Sequence, residues 1–515
     1  MFCWVASLLA FTAGPFLLAS INSVDRFSKT IRITNDSTEI SHMACRQSEI
    51  DENSTGCRYA DDLEFHAKLI KNVPGSASNF SSYMLRIINQ LDDAKVELQR
   101  ICDRTHDAQV TEKEATVSEI LAAVRTKGDE ALLHYTEKFD RRQLTPETLR
   151  VDGARLDAAY QQISPELLKA IQNACANIDA FHRQRLPKSW VTFEDHGVVL
   201  GKRYTPVAKA GIYVPGGRAS YPSTVMMNAI PAQVAGVSRI VMVTPIGPDG
   251  TISPAVLVAA QEAGIEEIYQ VGGAQAIAAL AYGTDTIPNV DVITGPGNIY
   301  VTLAKKQVFG TVGIDSLAGP SEVLVIADHT ADPVHVAVDL LAQAEHDPMA
   351  AAVLLTTDAA LAQAVADEVE KQLVTHPRRV LTEKAIAHYG VAIVVDNLET
   401  AANLSDLFAP EHLELEVDEP WELLPYINQA GAIFLGHDTP EAVGDYLAGP
   451  NHTLPTSGAA RYASPLSTET FMQHSSLVQY TKRALTNIAS DIDILTRAEG
   501  LPSHGNSVRF RVDEA

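Results

Sequence analysis

The sequence predicts an α/β protein with two parallel-sheet units, and three observations carry that expectation. From about Gly201 onward, short β-branched runs alternate with helical stretches. Glycine-rich turns stand beside those runs, at Val214-Pro-Gly-Gly217, Val271-Gly-Gly-Ala-Gln275, Thr294-Gly-Pro-Gly-Asn298 and Ala318-Gly-Pro-Ser321. The alternation then runs a second time further along the chain. Strand, glycine turn, helix, strand is the pattern of a parallel sheet, because a parallel return needs a crossover.

The chain begins with an apolar run, Phe2 to Ile21, interrupted by Gly14 and Pro15. It is marginal as a membrane span, and it lacks the basic start of a signal peptide, although Ala19-Ser-Ile21 resembles a cleavage site. Residues 22–83 are polar, with glycan-acceptor-like triplets at Asn35-Asp-Ser37, Asn53-Ser-Thr55 and Asn79-Phe-Ser81. The expectation for residues 1–83 is an unstructured extension rather than a secretory leader. A folded pattern begins at Met84, with Leu85, Ile87, Ile88 and Leu91.

From Val110 to Phe181 the spacing predicts helices: Val117, Ile120, Leu121 and Val124, then Ala131, Leu132 and Tyr135. Ser164-Pro165-Glu166 supplies a helix start. Strands are expected at 211–214, 239–244, 267–271 and 290–294, and again at 322–327, 351–356, 391–395 and 432–434. Between the first set lie helices at 253–263, 274–281 and 299–308. From about Ser467 the chain reads as helix up to Ala498, followed by a short extended end.

The formal net charge of -24 argues against a nucleic-acid or anionic-membrane surface. The balance of 46% hydrophobic and 20% charged residues is that of an ordinary soluble globular protein, the charge favours an enzyme, and a cytoplasmic location is expected. The five cysteines, Cys3, Cys45, Cys57, Cys102 and Cys175, leave the rest of the chain free of thiols, so any metal there has N and O ligands.

Asp339-Leu-Leu-Ala-Gln-Ala-Glu-His-Asp-Pro348 reads as the end of a helix beginning near Pro333, with Val334, Val338, Leu340 and Leu341 as its buried face. Gln343 and His346 stand three apart and project from one face, half of a metal site at most. Further polar groups follow at Pro410-Glu-His412, Gly444-Asp445, Asn451-His452 and Ser503-His504. Gly-Gly-Ala-Gln275 and Gly-Pro-Gly-Asn298 follow strands and precede helices, so their amides could meet a phosphate. Neither is a Gly-x-Gly-x-x-Gly fingerprint, and no P-loop is present.

These residues carry a family resemblance. Tyr213-Val-Pro-Gly-Gly217, Gly272-Gly-Ala-Gln275, Gly295-Pro-Gly-Asn298, Ala318-Gly-Pro-Ser-Glu322, Gln343-Ala-Glu-His346, Ala409-Pro-Glu-His-Leu413, Gly444-Asp-Tyr446, Gly449-Pro-Asn-His452 and Gly500-Leu-Pro-Ser-His504 resemble the histidinol dehydrogenases from roughly Met84 onward. The resemblance implies two Rossmann-like parallel-sheet domains lacking the usual dinucleotide fingerprint, with small N- and C-terminal helical arms. Residues 84–110 would form the N-terminal arm, 111–212 with 323–466 the first domain, 213–322 the second domain on the NAD side, and 467–515 a C-terminal dimerisation arm.

It also implies one zinc ion per subunit held by Gln343, His346, Asp445 and His504, the last reaching into the neighbouring subunit of a homodimer. Glu411 and His412 would be catalytic. Ser321, His452 and Glu499 would contact substrate together with Gln343, His346, His412, Asp445 and His504, and Tyr213, Gln275 and Asn298 would contact NAD. The implied reaction is the four-electron oxidation of L-histidinol to L-histidine through L-histidinaldehyde. In it His412 is the base for each oxidation, and Glu411 activates the water that adds to the aldehyde. A zinc hydrolase would use the same ligand types, and a periplasmic-type binding protein could have two α/β lobes. The first would not need two nucleotide-like turns, and the second needs no Glu-His pair.

Overall fold

The computed structural model describes residues 85–105, 110–216, 220–247 and 249–513. The N-terminal extension and Gly217 lie outside the described residues. Fourteen strands are found among the described residues: β1 (Arg86–Ile88), β2 (Trp190–Glu194), β3 (Val198–Pro206), β4 (Lys209–Tyr213), β5 (Arg239–Val243), β6 (Glu267–Tyr269), β7 (Val292–Thr294), β8 (Gly313–Ile314), β9 (Glu322–Ala327), β10 (Ala351–Thr356), β11 (Gly390–Val394), β12 (His412–Glu416), β13 (Ala432–Leu435) and β14 (Met472–Gln479). They form a six-stranded sheet in the order β1-β11-β10-β9-β12-β13, a five-stranded sheet in the order β6-β5-β4-β7-β8, and a three-stranded sheet β14-β3-β2. The two larger sheets are parallel throughout and the small one is antiparallel.

β9 (Glu-Val-Leu-Val-Ile-Ala) is buried along its whole length, as a parallel strand covered on both faces must be. Val323 and Val325 pack with Leu340 and Leu341 of the helix Pro333–Ala344. Leu324 and Ile326 face the other way, against Leu98 of the helix Leu91–Cys102 and Phe408 of the helix Leu398–Phe408. The smaller parallel sheet repeats the sandwich. Ala210, Ile212 and Met242 meet Met227 of the helix Pro222–Ala235, while Tyr213, Val241 and Val243 meet Ile277 of the helix Gly273–Tyr282.

Each parallel sheet has a point where the strand order reverses. In the smaller sheet the chain passes from β4 outward to β6, then returns to β7 on the other side of β4. In the larger it passes from β9 to β11, then returns to β12 beside β9. Such reversals open a crevice at a sheet end.

The packing corrects the expected organisation in several places. The helices between Val110 and Gln184, grouped by sequence with the larger unit, pack on the smaller parallel sheet. Val117, Ile120 and Leu132 share a core with Val241 and Val243, and Ile171 and Ile178 share one with Ile212 and Met227. Helical periodicity marks the buried stripe but does not say which sheet it covers. The helix Pro333–Ala344 turns Val336, Ala337, Leu340, Leu341 and Ala344 inward, so that Val334 and Val338, expected inside, are each 46% exposed. Residues 472–479, expected helical, form β14, paired with β3 from Met472↔Pro206 to Gln479↔Val199. The last described residues form the helix Pro502–Asp513 rather than an extended segment. Among the described residues no helix is long and apolar enough to cross a membrane.

Candidate active site

The helix Leu398–Phe408 stops at Ala409, whose φ of 54° is left-handed, and Pro410 follows. The chain then turns at Glu411 and enters β12 at His412. On one continuous strand these neighbours would face opposite ways. Because Glu411 precedes the strand, both engage the same residue of β9. The Glu322 N–H donates to Glu411 Oε2 (3.0 Å), and the Glu322 carbonyl accepts from His412 Nδ1 (3.1 Å). The Glu322 side chain is itself pinned, by Arg104 at 2.9 Å and by the Ser457 N–H at 3.2 Å.

With Nδ1 donating, the His412 proton sits there and Nε2 is left as a bare base. That Nε2 is buried without a hydrogen-bond partner and lies 4.0 Å from Asp445 Oδ1. Burial pushes the His412 imidazole down to about 3, against the pull of the Glu322 carbonyl. The same burial, with Glu322 and Asp445 adding to it, holds Glu411 well above the usual carboxylate range. The ring is therefore neutral, and the Glu411 carboxyl holds its proton more tightly than an exposed one.

Beside the pair lies a group fit for a metal ion. The helix Glu441–Tyr446 offers Glu441 and Asp445 one turn apart, and His346 follows the end of the helix Pro333–Ala344. Ligand atoms of His346, Glu441 and Asp445 lie within 4.8 Å of one another. Burial lowers His346 while Asp445 raises it, and burial raises Asp445 to about 6 while His346 lowers it. Burial thus keeps His346 in the neutral form that binds a metal and disfavours the Asp445 carboxylate, a cost that a bound divalent cation would relieve.

Gln343 is fully buried at the edge of this group. With its amide set to satisfy its neighbours, its nitrogen donates to Glu441 Oε1 (2.6 Å) and Oε2 (2.9 Å), and its oxygen accepts from the Glu322 N–H (2.7 Å). A Gln343 oxygen so engaged would have to turn to reach an ion. His504 is exposed on the helix Pro502–Asp513 and is not part of the group. Glu499 is likewise exposed, capping the helix Lys482–Ala498. The single chain thus brings His346 and Asp445 together with His412 and leaves His504 and Glu499 on its surface.

Sequence reasoning missed Glu441, Glu322 and Arg104. Glu441 left a signal, since it stands four residues before Asp445 and so on the same helical face. Nothing local marks Arg104, which reaches Glu322 across a separation of 218 residues.

His452 lies on the segment that joins the two sheets. Next to it, the Asn451 amide donates to the Met227 carbonyl (2.5 Å) on one side, and Ser457 meets Glu322 on the other. Its Nε2 is buried and unpartnered, burial pushes it down to about 4, and it bears electrostatically on both His346 and His412. Ser321, half-buried, immediately precedes β9. These groups all stand at the amino end of β9 and β12, the opposite end from that expected for ligands of a parallel sheet.

The turn residues obey that rule. Tyr213 ends β4 and Asn298 follows β7, on the two sides of the reversal in the smaller sheet. The buried Tyr213 hydroxyl accepts from the Gly273 N–H (3.3 Å), at the start of the helix that carries Gln275. Gln275 is 1% exposed and its Nε2 has no partner, a donor left for a ligand. Asn298 caps the helix Ile299–Val308, accepting from Tyr300 (3.0 Å) and Val301 (3.3 Å). The helix start, the orphaned amide and the reversal suit a dinucleotide.

A second acidic group, Asp339, Glu414 and Glu416, lies further along the same face of β12. Burial raises Asp339 to about 6 and Glu416 to about 8, and the two carboxyls share a hydrogen bond. Protons held between these acids account for them without an ion.

Fold and site together define an α/β enzyme with a buried imidazole base beside a metal-ready N/O group. Comparisons with known proteins narrow the class. A family model described as histidinol dehydrogenase matches residues 103–512. The chain is 71% identical over 431 residues to histidinol dehydrogenase 2 of Trichormus variabilis, covering 84% of this chain and 100% of that one. It is 69% identical to histidinol dehydrogenase of a Synechococcus strain, covering 83% and 99%. The crystal structure of histidinol dehydrogenase from Elizabethkingia anophelis superposes with a TM-score of 0.79 at 40% identity, over 84% of this chain and 99% of that one. The chain belongs to the histidinol dehydrogenase family, oxidoreductases of histidine biosynthesis.

Proposed function

We propose that the protein oxidises L-histidinol to L-histidine in two stages through L-histidinaldehyde, with NAD as acceptor and one zinc ion per subunit. The observation that carries this reading is the orientation of His412. Its Nδ1 is engaged by the Glu322 carbonyl, and its Nε2 is free, buried and aimed towards Asp445.

Zinc, held by His346 and Asp445 with Gln343 and a second subunit's His504, would supply a template that orients the substrate's amine and imidazole. NAD, seated against Tyr213, Gln275 and Asn298, would accept the hydride of each stage. His412 Nε2 takes the hydroxyl proton in the first oxidation and the hydrate proton in the second. Glu411, once it has lost its own proton, takes one from the water that adds to the aldehyde. Glu322 keeps both groups in place through the two stages, because its backbone holds each of them. Ser321 and His452 line the substrate's side, and the Glu499 carboxylate suits a cationic end. The exposed positions of Glu499 and His504 on the C-terminal helices support a homodimer in which each subunit completes its partner's site. The reaction would take place in the cytoplasm.

The test adds L-histidinol and NAD to the zinc-loaded protein and follows NADH absorbance, before and after a chelator. NADH should form, and chelation should abolish it while far-UV circular dichroism stays unchanged, since the ligands come from a core already packed. A zinc hydrolase on this scaffold would give no NADH at all, and that result would sink the reading.

A further inference from the structure

The turn after β7 is held by two side chains to which neither the family resemblance nor the proposed reaction assigns a role. Gly295 lies one residue beyond β7, past the end of the sheet ladder. Its N–H donates to Asp315 Oδ2 (2.8 Å), and its carbonyl accepts from Lys305 Nζ (3.0 Å). Lys305 and Asp315 are in turn ion-paired with each other, and each side chain is only 3% exposed. Gly295 has a φ of 110°, and a Cβ there would stand 2.0 Å from the Tyr213 carbonyl oxygen, so the turn is seated directly on the end of β4. Tyr213 then reaches Gly273 through its hydroxyl.

We propose that Lys305 and Asp315 are positioning residues for the dinucleotide: their buried ion pair grips both polar backbone atoms of Gly295 and so sets the turn that carries Asn298. The proposal rests on the reading that Tyr213, Gln275 and Asn298 contact NAD. Desolvating two charges is costly, and two apolar side chains could fill the same space. What apolar residues could not do is satisfy an N–H and a carbonyl that the sheet no longer serves. Lys305 and Asp315 come from two different elements, the helix Ile299–Val308 and the segment just after β8. A single linked frame therefore runs from the ion pair through Gly295 and Tyr213 to Gly273.

The test measures KM for NAD, KM for L-histidinol and kcat in three variants of the full-length, zinc-loaded protein: Asp315→Asn, the charge-free double variant Lys305→Met/Asp315→Asn, and Asn298→Ala. Should Asp315→Asn fail to fold with its lysine unpaired, the double variant carries the test. A loosened turn should raise KM for NAD about tenfold, with kcat at saturating NAD and KM for L-histidinol within about twofold. If Asn298→Ala raises KM for NAD while the folded double variant does not, the positioning role is overturned and the NAD reading stands. If none of the three changes KM for NAD, the NAD reading itself fails and takes the proposal with it. A double variant whose kcat and both KM values worsen alike also overturns it, since that is general damage.

Discussion

Burial acts on His412 and Glu411 in opposite senses, because removing water disfavours whichever form is charged. The imidazole is pushed down to about 3 and stays neutral across the working range, with its Nε2 unprotonated. The Glu411 carboxyl is held up, so it can act as a base only above its raised pKa. The aldehyde stage should therefore speed up as pH rises through the raised pKa of Glu411 and its carboxyl ionises. Single-turnover oxidation of L-histidinaldehyde against pH checks this, and Glu411→Gln should flatten the rise. An equally steep rise in Glu411→Gln would assign it to another group. His412→Asn should slow alcohol and aldehyde oxidation alike, by on the order of a hundred- to ten-thousand-fold. A variant slowed in one stage only would show that the stages use different bases.

The helix Glu441–Tyr446 is where one small residue decides the geometry of the metal group. A Cβ at Gly444 would meet the Phe434 ring of β13 at 2.7 Å. Gly444→Ala should therefore lift the helix off the sheet at a cost of about 1–3 kcal/mol. Glu441 and Asp445 would be carried away from His346. The expected outcome is a lower melting temperature together with zinc lost on dialysis. Full zinc retention would mean that the helix seat does not set the ligands.

Much of this architecture could be read along the chain. Strands such as β9 and β10 are almost wholly apolar on both faces and the turns carry glycine, so these strands and the helix Ile299–Val308 lie where the sequence puts them. The pairing of β14 with β3 was not legible. β2 is exposed at every position and seven of the eight residues of β14 are exposed, so no buried alternation marks either strand. His346, Asp445 and the Glu411–His412 pair were legible through motifs, whereas the Arg104–Glu322 pin depends on a contact between residues 218 positions apart.

Seen whole, the molecule keeps its turn residues at the carboxyl ends of one sheet and its acid–base pair at the amino end of the other. Expected ligands are divided too, with His346 and Asp445 inside and His504 on the surface. A site completed by a second subunit makes a definite demand. His346→Ala and His504→Ala, each inactive alone, should recover activity when mixed under subunit exchange, because the heterodimer then contains one intact site. If each chain used its own His504, every site would carry a lesion and the mixture would stay inactive.

The proposed reaction asks one buried pair to serve two oxidations with different needs. Rapid mixing of L-histidinol and NAD with Glu411→Gln isolates the difference by counting NADH formed per active site. A single NADH should appear in a fast phase, from the alcohol oxidation that His412 alone supports. A slow second phase should follow, limited by the addition of water. No burst, with both phases slowed equally, would contradict the division of labour between Glu411 and His412.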